Sequence, residues 1–173
     1  KIVDSATGDR ADLARIALAA RQKQNKHTPQ SIENYKIAIA DLETKTHNNQ
    51  LLIGAHNGLA ETLLAEKNYS GAETEARKAI ELQQHPDASQ GGIRVALNWY
   101  LPITGSDFSH YWLRQSYTTL ASALEGTGKY AEADAAYETL MRPPLSEKFY
   151  YSNEMLKKYV DYLKRTNRPA DAT

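Results

Sequence analysis

The sequence predicts an all-α protein, a solenoid of antiparallel helix pairs stacked side by side. Three observations predict it. Apolar residues recur three and four apart along most of the chain, the period of a helix that buries one face. Short breaks rich in Gly, Asn and Lys cut that pattern into segments of helical length. The pattern around one break returns around others in the same register.

Lys1–Asp9 is polar with one glycine and reads as a frayed start, with Asp9 or Asp12 placed to cap the first helix. Ala11–Gln24 carries Leu13, Ala14, Ile16, Ala17, Leu18 and Ala20, a strongly helical run. Asn25–Thr28 breaks it, and Pro29 suits the first turn of the next helix, where its missing N–H has no partner to lose. Ser31–Thr44 follows with Ile32, Tyr35, Ile37, Ala38, Ile39 and Leu42, completing a hairpin over about 11–46. His47-Asn48-Asn49 is a turn.

Helices over Leu51–Glu66 and Ser70–Gln84 make the second hairpin, 51–85. Leu59, Ala60, Leu63 and Leu64 face Ala72, Ala76, Ala79, Ile80 and Leu82, with small residues where the helices cross. His85-Pro86 ends it, because a residue before proline leaves the α region. Gly91-Gly92, the short apolar run Ile93–Tyr100 and the loop residues Pro102, Gly105, Ser106 and Asp107 then read as an insertion over about 87–107, with one short helix inside it. Phe108–Glu125 and Tyr130–Met141 form the third hairpin (108–142) around Gly126-Thr127-Gly128-Lys129. Pro143-Pro144 stops it. Glu147–Arg165 is the last long helix, and Arg168–Thr173 starts a partner for it, giving a fourth hairpin over 147–173 within a single domain, 1–173.

Aligning the turns exposes the repeat. Tyr69 and Tyr130 occupy one slot: Leu59-Ala60 precedes the first as Leu120-Ala121 precedes the second, and Ala72 follows as Ala133 does. Thr28 fits the same slot, with Leu18-Ala19 ahead of it, and so does Pro169, with Tyr159-Val160 ahead. The slots are 41, 61 and 39 residues apart (69 − 28, 130 − 69, 169 − 130), and the long middle step contains the insertion. In these positions the chain resembles the tetratricopeptide repeat (TPR) family, whose simplest unit is about 34 residues. Steps near 41 are similar to the longer repeats of kinesin light chains and their bacterial relatives, in which a His-Pro such as His85-Pro86 precedes the next unit. The family's Trp at the fourth place of helix A is missing; His56 and Tyr117 stand there.

The resemblance implies a right-handed superhelix whose first helices line a concave groove. It also implies a non-catalytic module that binds a peptide or protein partner there. Groove positions carried over are Asn57, Glu61 and Leu64; Thr118, Ser122 and Glu125; and Lys157, Asp161 and Lys164. Ile16, Ala20 and Lys23 take those places in the first unit. Asn57 is the best single candidate, because its amide donates and accepts at once. The family's clamp for a terminal carboxylate, a Lys, Asn and Arg set on adjacent units, is absent. The alternatives are a self-assembly module forming homo-oligomers through Tyr159 or Tyr162, and a regulatory helical domain of a larger enzyme.

Composition excludes several other classes. Twenty-one basic residues balance 21 acidic ones, so no net field draws in nucleic acid or an anionic membrane. There is no cysteine, hence no disulfide, thiol nucleophile or thiolate metal site. No apolar run approaches the roughly 20 residues of a membrane span. The five histidines lack zinc-protease spacing, with His56 expected to pack in the core. Gly126-Thr127-Gly128-Lys129 lacks the rest of a phosphate loop, and no nucleophile elbow occurs. No cofactor, metal or catalytic residue is therefore expected. Asn68-Tyr69-Ser70 matches a glycosylation acceptor but falls in a repeat turn. A soluble protein is expected, cytoplasmic or alternatively periplasmic or secreted, and the initial Lys1 suggests a fragment or a processed form.

Overall fold

Three turns of one geometry set the architecture. In the computed structural model, which describes residues 2–46, 49–84, 106–142, 145 and 152–166, seven α-helices and no strand are found. They are α1 (Ile2–Gln24), α2 (Thr28–Asp41), α3 (Asn49–Ala65), α4 (Tyr69–Gln84), α5 (Ser106–Gly126), α6 (Tyr130–Met141) and α7 (Ser152–Arg165). One π-helical turn, Leu42–Thr46, prolongs α2.

In the α1–α2, α3–α4 and α5–α6 turns, Lys26, Lys67 and Gly128 take left-handed φ values of 62°, 60° and 76°. Each closes its helix with the same two hydrogen bonds. Lys26 N donates to Lys23 O at 3.0 Å and His27 N to Gln22 O at 2.8 Å. Lys67 N and Asn68 N donate to Leu64 O and Leu63 O, both at 2.9 Å. Gly128 N and Lys129 N donate to Glu125 O and Leu124 O at 3.0 and 2.9 Å. This paired closure is the Schellman cap, in which one left-handed residue lets two late carbonyls find donors. The following carbonyl then starts the next helix, receiving Ser31 N, Ala72 N and Ala133 N respectively. The three turns lie 41 and 61 residues apart (67 − 26 and 128 − 67), the spacing read from the sequence.

Every helix packs on its successor, and α1 also touches α3, as α3 touches α5. Alanine permits this closeness: Ala19, Ala38, Ala55, Ala60, Ala72, Ala76, Ala79, Ala121 and Ala133 are fully buried. Two apolar clusters result. One joins Ala19, Tyr35, Ile39, Leu42, Leu51, Leu52, Ala55 and Leu59. The other joins Ala60, Ala76 and Ile80 to residues of α5 and α6 and to Tyr162 and Leu163 of α7. Leu18, by contrast, is 50% exposed, since α1 has no helix in front of it among the described residues.

The structure corrects several boundaries. Residues 2–9 continue α1 and are no frayed start; the lone glycine does not outweigh helix-forming neighbours. Asn49, Ser106 and Asp107, read as turn or loop, are helical, in keeping with the preference of Asn, Ser and Asp for helix starts. The short helix at 93–100 and the partner helix after Arg168 lie outside the described residues, as do Pro143-Pro144 and most of the insertion. Among the described residues, no helix is long and apolar enough to cross a membrane.

Candidate functional site

Helices α3, α5 and α7 line a cleft of about 410 Å³. Glu61, Leu64 and Ala65 of α3 form one wall. Tyr111, Arg114, Gln115, Thr118, Thr119 and Ser122 of α5 form the other, and Lys158 of α7 stands at its end. The α5 set recurs every three or four residues, which is one stripe of a helix. No even-numbered helix contributes to the lining. The volume falls in the class of ligand clefts, roughly 300–1,000 Å³.

Glu61 is the junction of the floor. Its Oε2 accepts from Lys23 Nζ of α1 at 2.5 Å, and its Oε1 accepts from Gln115 Nε2 of α5. One carboxylate thus ties three helices across the cleft side of the molecule. Thr118 Oγ1 donates to Arg114 O at 2.7 Å, and Ser122 Oγ to Thr118 O at 3.0 Å. Both hydroxyls bond back to their own helix, and Ser122 is also hydrogen-bonded to the buried Tyr137 side chain. Arg114 is only 5% exposed. It, Lys158 and Tyr111 are each engaged within the chain. The Tyr111 ring meets Trp112 edge-on, centroids 5.3 Å apart.

Of the nine groove residues read from the sequence, the structure brings Glu61, Leu64, Thr118 and Ser122 together in the cleft. Asn57 is a correction. It is fully buried, and its amide is occupied: Nδ2 donates to Trp112 O at 3.4 Å, and Oδ1 accepts from Ser116 Oγ at 2.8 Å. Gln83 Nε2 of α4 donates in turn to Ser116 Oγ at 3.1 Å. Asn57 therefore ties α3, α5 and α4 from inside and offers nothing to a groove. Glu125 also stands apart from the cleft lining; it holds Arg165 through two bonds of 2.9 and 3.0 Å. Lys157, Asp161 and Lys164 are not among the lining residues; Lys158 is, at the place on α7 that Thr119 holds on α5 (158 − 119 = 39). Tyr162, offered as a surface for self-assembly, is buried: its hydroxyl donates to Asp134 Oδ1 at 2.9 Å and its ring packs on Tyr137.

His56 is buried as expected, but it also holds a carboxylate. Its Nδ1 donates to Glu75 Oε2 of α4 at 2.6 Å, while Lys78 Nζ lies 3.7 Å from the other oxygen. Burial pushes the Glu75 carboxyl up, yet the His56 hydrogen bond and the charges of His56 and Lys78 outweigh it and hold it below its usual range. No hydroxyl is hydrogen-bonded to His56 among the described residues, so the pair has no nucleophile to activate and serves to fasten α3 to α4. No group of three His, Cys, Asp or Glu side chains that could hold a metal ion occurs among the described residues.

Sequence reasoning missed Gln115, Arg114, Tyr111, Thr119, Ala65 and Lys158. The first three share a helix face with Thr118 and Ser122, so extending that stripe backward by two turns finds them; Lys158 holds the register place of Thr119, which was itself not singled out. No family model matches the chain, and neither a curated protein nor a solved structure matches it significantly.

Proposed function

We propose that this chain is a repeat protein of the tetratricopeptide type, a right-handed stack of helix pairs. In this reading it acts without catalysis, binding a peptide or protein partner in the cleft between α3, α5 and α7. The observation that carries the reading is the composition of that cleft: it is lined by α3, α5 and α7, with nothing from α4 or α6, and four of its residues are ones the repeat register assigns to that face. The three identical turns and the direct contacts of α1 with α3 and α3 with α5 support the stacking. Each pair covers the next, and the first helices meet along one side, as stacked repeats require. The polar stitches from Lys23 to Glu61 to Gln115 hold that side in a fixed spacing, which reduces the ordering a partner must impose.

The test is selection from a random peptide display library against the full chain, repeated with Leu64→Arg. That change fills the cleft wall with a long cation at a half-buried site. Peptides enriched by the wild type should lose binding to Leu64→Arg while the variant keeps its thermal transition. No enrichment over an unrelated helical protein, or equal binding to both forms, would rule the cleft out as the recognition site.

A further inference from the structure

One flank of α7 stays open where the earlier first helices are covered. Val160 holds the place of Ala121 on α5 (160 − 121 = 39) and of Ala60 on α3 (121 − 60 = 61). Both alanines are fully buried, in the cluster that contains Ala76 and Ile80 of α4 and Ala133 and Ala136 of α6. Leu156, one turn earlier, holds the place of Tyr117 and of His56, whose ring is bonded to Glu75 of α4 at 2.6 Å. Leu156 is 50% exposed and Val160 half-buried. The end of α7 also repeats the end of α5. Thr127 N and Thr166 N donate to Ala123 O and Tyr162 O at 3.1 and 3.0 Å. Each threonine hydroxyl turns back on that same carbonyl and on the one after it.

Resting on the repeat reading above, we infer that the Leu156–Val160 flank receives an amphipathic helix of a partner, small opposite Val160, apolar opposite Leu156 and acidic along one edge. A helix is what covers this flank on α3 and on α5, so the interface continues by one step. Val160 is larger than the two alanines whose place it holds. A helix approaching as closely must therefore carry Ala or Gly opposite it. Leu156 has no ring nitrogen, so a carboxylate at the place of Glu75 would be buried without a donor, and an apolar side chain belongs there. Lys157 and Lys164 lie three and four residues from Val160, which makes them its neighbours on the helix surface, and both are exposed. Asp161 lies between them, and none of the three is ion-paired among the described residues. Two cations against one anion leave that edge positive, and acidic residues on the incoming helix complement it.

The experiment titrates three end-capped helical peptides of one frame into the full chain by calorimetry. All share an Ala and Leu stripe; one has Glu along the edge, one has Lys there, and the third is the Glu peptide with its central Ala changed to Leu. The Glu peptide should bind about fivefold more tightly than the Lys peptide, and high salt should narrow that gap. The enlarged peptide should bind about tenfold more weakly than its parent. Leu156→Glu, at an exposed position that the fold does not need, should weaken the Glu peptide at least about tenfold. Leu18→Glu, the same change at the exposed leucine of α1, should leave it unaltered. Lys157→Glu combined with Lys164→Glu should invert the order of the Glu and Lys peptides. Equal binding to wild type and Leu156→Glu, no binding of any of the three, or an order of peptides indifferent to the charge reversal overturns the inference. So does self-association of the chain alone that Leu156→Glu abolishes, which assigns the flank to a second copy. A gain of affinity in Ala172→Glu, which assigns the flank to residues 167–173, also overturns it. The groove reading is separate: peptides selected for the cleft lose binding to Leu64→Arg and keep it with Leu156→Glu, whichever way the helix test falls.

Discussion

Asn57 shows how a polar side chain is made essential by burial. Its amide receives one hydroxyl and donates to one carbonyl, with no water to replace either partner. Asn57→Ala takes away an acceptor of the Ser116 hydroxyl and a donor to the Trp112 carbonyl and opens a small void, so a loss of about 2–4 kcal/mol is expected in urea unfolding. Gly58 beside it has a steric reason. A Cβ there would fall inside the ring of Tyr35, which is 2% exposed and cannot move aside. At Gly126 the added carbon would meet the ring of Tyr69, which is half-buried rather than packed in the core. Gly58→Ala should therefore cost about 2–3 kcal/mol and Gly126→Ala under about 1 kcal/mol, part of each offset by alanine's better helix propensity. Glu75 supplies a pH dependence. A carboxyl held below its unfolded pKa adds stability that is complete above the unfolded value and drains as pH falls through the folded one. The gap in melting temperature between wild type and Glu75→Gln should accordingly be widest near neutrality and shrink as the medium is acidified through the carboxylate range. A gap that widens on acidification would mean that His56 does not stabilise the ionised form.

Turns are the element most legible in the sequence, and their chemistry makes a sharp comparison. The left-handed position at each of the three turns is filled twice by lysine and once by glycine. A left-handed L-residue costs roughly 1–2 kcal/mol, and glycine avoids that while losing more backbone entropy on folding. Lys26→Gly and Lys67→Gly should each raise stability by up to about 1 kcal/mol, and Gly128→Ala should lower it by a similar amount. A drop for both lysine variants in thermal melts would show that something other than φ decides these turns. The turns could be located beforehand because the apolar period stops there and resumes out of phase. Which aromatic residues of the last helix are buried was less legible. Tyr159-Val160 took the Leu-Ala place of the aligned repeat, but two large residues do not say which of them turns inward. The structure puts Tyr162 and Leu163 in the core, at the places of Ala123 and Leu124, and Lys158 in the cleft, at the place of Thr119. The polar stitches were not legible at all. Asn57 with Ser116, Glu61 with Gln115 and Lys129 with Glu73 are pairs 54 to 59 residues apart, and no local pattern marks them.

At the scale of the molecule, the open question is whether two apolar clusters unfold as one. The first draws on α1, α2 and the start and middle of α3; the second begins at Ala60 on the same helix and runs through α4, α5, α6 and α7. Leu59 and Ala60, adjacent in sequence, belong to different clusters, so α3 cannot melt on one side alone. The direct contact of α3 with α5, together with the Asn57 and Glu61 stitches, ties the halves again. In stacked units stability is close to a sum of unit terms and neighbour terms, and strong neighbour terms make the whole cooperative. Leu42 offers a clean probe, being fully buried in the first cluster and remote from the second. Leu42→Ala should cost about 2–4 kcal/mol. If α3 couples the clusters, the slowest-exchanging amides of α6, at Tyr137 and Leu140, lose that same free energy of protection under native conditions. If the clusters were independent, those amides would be untouched while α1 and α2 exchange faster. The coupled outcome matters for recognition as well, because the cleft is lined by α3, which carries residues of both clusters, and by α5, and Glu61 of its wall is held by Lys23 of α1 and Gln115 of α5, so a partner seated there would then stabilise the chain from end to end.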